Sequence, residues 1–217
     1  MKRAALLFTL LFLATQSFAG TCTSNANVLI GNFSCTLGGL TFSGFASTGS
    51  GATIGLTSAV LSNGNVQLAF NPNMQASQGG SADFLFFFTV TGGINAIDLT
   101  VGSSGGAGTV ATINEVACSS PFTPPGSTTC PQGSGLATIH NDSNSGISIT
   151  GTFPNGASVN QVFISKDINL SSSTGTTATL SEFDQSFHIP VPEPGSIALL
   201  GSGLLGLAGV VRLKLRR

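Results

Sequence analysis

Two histidines, seven carboxylates, one lysine and four cysteines are the side chains between Gly20 and Val191 whose chemistry goes beyond packing. His140 and His188 each lie near an expected strand end among polar residues, a setting that suits hydrogen bonding better than catalysis. Glu182 and Asp184 stand two apart on one strand face. Paired carboxylates about 5–10 Å apart across a cleft can cleave glycosidic bonds, but a solvated strand face explains this spacing without chemistry. Asp142-Ser143-Asn144-Ser145-Gly146 offers oxygen ligands at alternate positions, as a calcium loop does at its start. It lacks the later glutamate that completes an EF-hand, so an Asx-type turn is expected. Gly102-Ser103-Ser104-Gly105-Gly106 fits the nucleophile-elbow string, which must join a strand to a helix. Here a Gly/Ser loop joins two expected strands. Gly201-Ser202-Gly203-Leu204-Leu205-Gly206 fits a dinucleotide fingerprint, yet it lies in an apolar tail with no strand before it and no acid after it. Small residues at Ala198, Ser202 and Gly206 suit close helix packing instead. No residue is therefore assigned to catalysis, a metal or a cofactor, and the chain is expected not to be an enzyme.

Cys22, Cys35, Cys118 and Cys130 allow three pairings. The local pairs Cys22–Cys35 and Cys118–Cys130 are favoured, because each closes a short loop; by loop entropy each contributes roughly 3 kcal/mol. Zinc would require a C-x-x-C pair or nearby histidine, and neither is present. Lys166 is the one basic residue between Gly20 and Val191, against Asp83, Asp98, Glu115, Asp142, Asp167, Glu182 and Asp184, a net charge of −6. Nucleic acid is excluded as a partner, since phosphate binding requires clustered Lys and Arg. Asp167 beside Lys166 reads as local charge balance.

The two ends explain where such a body would work. Lys2 and Arg3 precede an 11-residue apolar core, Ala4 to Ala14, and Ser17-Phe18-Ala19 follows with a small-x-small pattern. Residues 1–19 thus read as a cleaved secretory signal peptide. At the other end, Pro192-Glu193-Pro194 is followed by 17 uncharged residues, Gly195 to Val211, and then by Arg212, Lys214, Arg216 and Arg217. As a helix that run would span roughly 25 Å, at the short end for a bilayer core of about 30 Å. The basic cluster is a stop-transfer that stays cytoplasmic. Two prolines flanking Glu193 favour an extended, protease-accessible backbone.

This order of motif, apolar run and basic stop resembles the PEP-CTERM sorting signal of bacterial surface proteins. The resemblance implies a Gram-negative-type bacterium and a single transmembrane helix in the inner membrane. It also implies recognition at Pro192, Glu193 and Pro194 by the membrane protease-transpeptidase exosortase, then delivery to the cell surface or extracellular matrix. Cys35 to Phe42, Phe88-Thr89-Val90, Glu115 to Cys118 and Val162 to Ile168 are similar to a recurring type of PEP-CTERM-bearing body, β-rich and without an assigned function.

The intervening residues show what positions these groups. Period-two alternation runs through Leu40 and Phe42, through Val66, Leu68 and Phe70, and through Ile97, Leu99 and Val101. It recurs at Ile147, Ile149, Gly151 and Phe153, and at Val162, Ile164, Lys166, Ile168 and Leu170, where Lys166 is the polar exception. Asp83 to Val90 is apolar on both faces and reads as a central strand. Asn63-Gly64, Gly92-Gly93, Asn155-Gly156 and the Asn141 to Gly146 cluster supply turns. A short helical turn is expected near Ala26 to Asn32, and the Pro-rich stretch Cys118 to Ser134 reads as a loop. Eight to ten short strands predict an all-β fold, an antiparallel, jelly-roll-like β-sandwich over 20–190, with 191–217 as the sorting segment. A β-helix or solenoid is the alternative, without a fixed repeat to support it. The function expected is a structural or adhesive surface protein, with exopolysaccharide as a further partner. A carbohydrate- or surface-binding module and a secreted hydrolase are the alternatives, the first weakened by the absence of Trp and Tyr.

Overall fold

The computed structural model describes residues 20–49, 53–102, 105 and 107–190. The signal-peptide reading of 1–19 and the apolar run and basic residues of 191–217 fall outside the described residues. In chain order the strands are β1 (Gly20–Thr21), β2 (Ala26–Asn27), β3 (Cys35–Leu37), β4 (Leu40–Thr48) and β5 (Gly55–Ser62). Next come β6 (Asn65–Asn71), β7 (Met74–Ala76), β8 (Ser81–Ile94), β9 (Ala96–Val101) and β10 (Val110–Cys118). The last five are β11 (Gly135–Asp142), β12 (Ile149–Thr152), β13 (Val159–Ser171), β14 (Ala178–Leu180) and β15 (Phe183–His188).

Seven strands form one sheet in the order β1-β3-β4-β8-β13-β10-β11, and six form a second, β12-β9-β15-β6-β5-β2. β7 and β14 make a separate pair. Pairing is antiparallel except where β1 joins β3. The two large sheets face each other across one apolar core, the sandwich-like, all-β arrangement that alternation predicts.

Phenylalanine builds that core. Phe42, Phe70, Phe86, Phe88, Phe183 and Phe187 are fully buried and come from both sheets. Phe70 is the hub: its ring centroid lies 5.4 Å from those of Phe86 and Phe183 and 5.9 Å from that of Phe88. Such aromatic pairs contribute about 0.5–1.5 kcal/mol each beyond area burial.

Most of the alternating runs bury the expected face, from Leu40 and Phe42 through Val162 to Leu170. β8 lies between β4 and β13, and both of its faces are covered as its composition requires. Phe84, Phe86, Phe88 and Val90 point into the sandwich, while Phe87 on the other face meets the Phe122 ring at 6.2 Å. The Pro-rich loop between Cys118 and Gly135 thus acts as a cover over the outside of the first sheet.

Three local expectations are corrected. Gly92-Gly93 is not a turn but lies inside β8, and a Cβ at Gly92 would sit 2.5 Å from Leu40 Cδ2. The close approach of β4, not a reversal, is what that glycine serves. Ile147 is exposed, and β12 starts only at Ile149. Ala26-Asn27 is a strand paired with β5 rather than part of a helical turn. In β4 the register shifts between Ser43 and Ala46, with Gly44 at φ +65°. That bulge turns Phe45, which strict alternation would aim outward, onto Phe86 and Phe88. Asn63-Gly64 does close the β5–β6 hairpin, both residues having the positive φ that a tight primed turn demands.

Candidate functional site

The described fold ends at residue 190, two residues before Pro192. β15 is an inner strand of the second sheet, paired over its whole length with β6 and with β9. Beyond His188, Ile189 packs against the core and Pro190 lies beside Gly93. The chain therefore leaves the sandwich next to β8, with Pro192, Glu193 and Pro194 outside the described residues.

Both favoured disulfides are formed. Cys22–Cys35 ties the residue after β1 to β3, and Cys118–Cys130 ties the end of β10 to the Pro-rich cover. Among the described residues no cysteine is free and no group of His, Cys, Asp or Glu is arranged to hold a metal.

The residues singled out for catalysis are dispersed. His188 Nε2 lies 2.6 Å from Asp98 Oδ2, whereas His140 Nδ1 lies 2.6 Å from Asn114 Oδ1 on the other sheet. Glu182 accepts a hydrogen bond from Thr57 Oγ1 at 2.8 Å. Asp184 follows it in β15, and burial, then the Glu182 charge, pushes its carboxyl up. The two acids occupy one stretch of chain rather than opposite walls of a cleft. Asp142 Oδ1 accepts from the backbone N–H groups of Asn144 and Ser145 at 2.8 and 2.9 Å, the expected Asx turn. Ser103, Ser104 and Gly106 of the elbow string lie outside the described residues, and the string spans the gap between β9 and β10, a strand-to-strand connection.

Asp167 does not balance Lys166. Adjacent residues of β13 face opposite ways, so Lys166 enters the core while Asp167 meets Asp83 on the outside of the first sheet. Burial first, and the Asp83 carboxylate second, push the Asp167 carboxyl up. A carboxyl whose folded pKa is raised favours the fold below its unfolded pKa, and that contribution is lost as pH rises through the folded value. Asp167→Asn should therefore raise the melting temperature at about pH 7 and leave it little changed at about pH 3. Thermal scans of both proteins at the two pH values check this, and a variant less stable at neutral pH refutes it.

Two features were not read from the sequence. One is an open groove of about 430 Å³ at the β2–β5 edge, lined by Asn25, Asn27, Leu56, Thr57, Asn71 and Asn73 among others. It adjoins a second hollow of about 270 Å³ that shares Asn71 and Asn73. Asn27 Oδ1 accepts from Leu29 N–H and Asn71 Oδ1 from Asn73 N–H, which fixes both amides.

The other is a polar cluster inside the core. Lys166 of β13 and Glu115 of β10 are register partners, and Gln185 of β15 meets them from the opposite sheet. All three are fully buried. Lys166 Nζ stands 2.7 Å from Glu115 Oε2, donates to Gln185 Oε1, and lies 5.4 Å from the Phe183 ring centroid. Glu115 Oε1 has no hydrogen-bond partner among the described residues. Burial lowers the Lys166 ammonium and raises the Glu115 carboxyl, and each is opposed by the charge of the other. The signal for Lys166 was its place in an inward-facing apolar run. Glu115 and Gln185 hold the equivalent inward positions of β10 and β15.

Against known proteins the body and the tail behave differently. No curated protein matches the sequence. A solved structure described as "Structural basis for the promiscuous specificity of the carbohydrate-binding modules from the beta-sandwich super family" aligns with a TM-score of 0.30 at 16% identity. The alignment covers 78% of this chain and spans 61% of the length of that one, and a likeness so loose assigns no ligand. The tail is specific: residues 190–217, which start where the sandwich ends, match the PEP-CTERM protein-sorting motif, the mark of an exosortase substrate.

Proposed function

We propose that this chain is an exported bacterial envelope protein in three parts: a signal peptide (1–19), a jelly-roll-like body (20–190) and a sorting segment (191–217). Exosortase acts near Pro192-Glu193-Pro194, after a brief stay in the inner membrane by way of the 195–211 helix. The body then passes to the cell surface or extracellular matrix, where it serves as a structural or adhesive component and catalyses nothing. The match of 190–217 to the sorting motif carries this reading. Fractionation of cells producing the intact chain or Glu193→Ala tests it. The variant is expected to accumulate in the inner membrane, and identical distribution of the two would refute the sorting role of the motif.

A carbohydrate-binding role is the second reading, and the amide-lined groove favours it. Fixed Asn side chains and Thr57 present hydrogen-bonding groups of the kind that sugar hydroxyls pair with. No aromatic ring lines the groove, so stacking would contribute nothing there. A glycan array with the purified body distinguishes the two readings.

A further inference from the structure

We infer that Lys166 and Gln185 join to each other, without any other enzyme, through an amide bond inside the core, with Glu115 as the proton carrier. The three groups needed for acyl transfer converge in a site from which water is excluded: an amine, a carboxamide and a carboxyl. Lys166 Nζ contacts Gln185 Oε1, one bond away from the Cδ that it would attack, and Glu115 Oε2 lies within 2.7 Å of the same nitrogen.

Placement supports this beyond proximity. Lys166 is the one basic residue between Gly20 and Val191, yet it is in the core and not on the surface, where it would offset the negative charge. An ion pair alone is a weak reason for such a position, because two desolvated charges repay their burial only when every remaining polar atom is satisfied. Glu115 Oε1 is not so satisfied among the described residues. A low-dielectric site also favours the neutral forms, amine and carboxylic acid, over the charged pair, and those are the reactive ones.

The chemistry balances. The Lys166 Nζ lone pair attacks Gln185 Cδ while the protonated Glu115 carboxyl stabilises the oxygen on which charge develops. Glu115 takes a proton from Nζ and delivers one to Gln185 Nε2, the Cδ–Nε2 bond breaks, and one ammonia molecule leaves. The product is a secondary amide between Nζ and Cδ, Glu115 is regenerated, and no atom changes oxidation state. Holding Nζ against the carboxamide substitutes for an enzyme by removing the entropic cost of encounter, an effect that reaches effective molarities of about 10⁵ M or more once the pair turns into line for attack. Exclusion of water leaves hydrolysis no competing nucleophile. The new bond would tie β13 of one sheet to β15 of the other, independently of how the tail is processed.

The test is a mass measurement on the purified folded protein, reduced, alkylated and denatured before trypsin digestion. The linked protein is expected to be lighter than its sequence by one ammonia and to resist trypsin at Lys166, its one basic residue between Gly20 and Val191, so that the body stays a single fragment. Cleavage after glutamate, which cuts at Glu182, then yields a branched fragment joining Lys166 to Gln185. Glu115→Gln, nearly the same shape but unable to carry the proton, should keep the full mass and be cut at Lys166. Glu115→Asp, which keeps the carboxyl, should form the bond more slowly over a time course after refolding. A parent protein of full mass, cut at Lys166, overturns the inference and leaves a buried ion pair only. A bond that forms equally fast in Glu115→Gln overturns the role given to Glu115.

Discussion

Lys166→Ala should cost about 3–5 kcal/mol of stability, because it strands Glu115 in an apolar interior. Glu115 loses the Lys166 nitrogen that it contacts and Gln185 loses its partner, while no solvent reaches either group. The deficit should widen as pH rises, since a carboxyl with a raised folded pKa withdraws its support when it must ionise. Urea unfolding of the disulfide-bonded protein at two pH values measures both effects. The informative comparison is the triple variant Lys166→Met, Glu115→Leu, Gln185→Met, which removes every polar member together. It should be more stable than Lys166→Ala, as apolar replacement of a buried charged cluster is often neutral or stabilising by about 1–4 kcal/mol. Neither variant can form the Lys166–Gln185 bond, so the difference between them reports burial alone. A triple variant as unstable as the single one would refute this view of the cluster.

Phe70→Ala is expected to cost about 3–5 kcal/mol for a different reason, an unfilled cavity at the hub of the aromatic core. Phe70 is fully buried and its ring meets those of Phe45, Phe86, Phe88 and Phe183, residues from three other strands or strand ends. Small domains have only about 5–15 kcal/mol in total, so this one change approaches the margin for folding. Leu61→Ala is the control: Leu61 is 51% exposed and its truncation should shift the urea midpoint little. Equal losses at the two positions would show that Phe70 is not the centre of the core.

What was legible in the sequence is what depends on local period. The inward runs of β4, β6, β9 and β13 declare themselves because a one-residue slip would expose the whole apolar set. The Asn63-Gly64 turn and the two disulfides were likewise local, each closing a loop short enough to be judged alone. The errors arose where a distant neighbour decides. Gly92 has the composition of a turn, but the approach of Leu40 from β4 explains it. Phe45 reaches the core only through the bulge at Gly44, which alternation does not encode. The buried cluster was half visible: Lys166 stood out in an apolar run, while its partners needed the pairing of β10 with β13 and the facing of β15 across the sandwich. The sorting motif was legible in full, because it is read as linear sequence and asks nothing of the fold.

The place of β15 in its sheet has a mechanical consequence. Tension applied to the chain beyond residue 190 would enter the body there and run back along a strand held by ladders on both sides, to β6 and to β9. A strand so placed must shear many hydrogen bonds together, whereas an edge strand peels away one bond at a time. The strand next to the tail is thus the part built to resist being pulled out, and a covalent tie at Gln185 would pass that force directly into the opposite sheet.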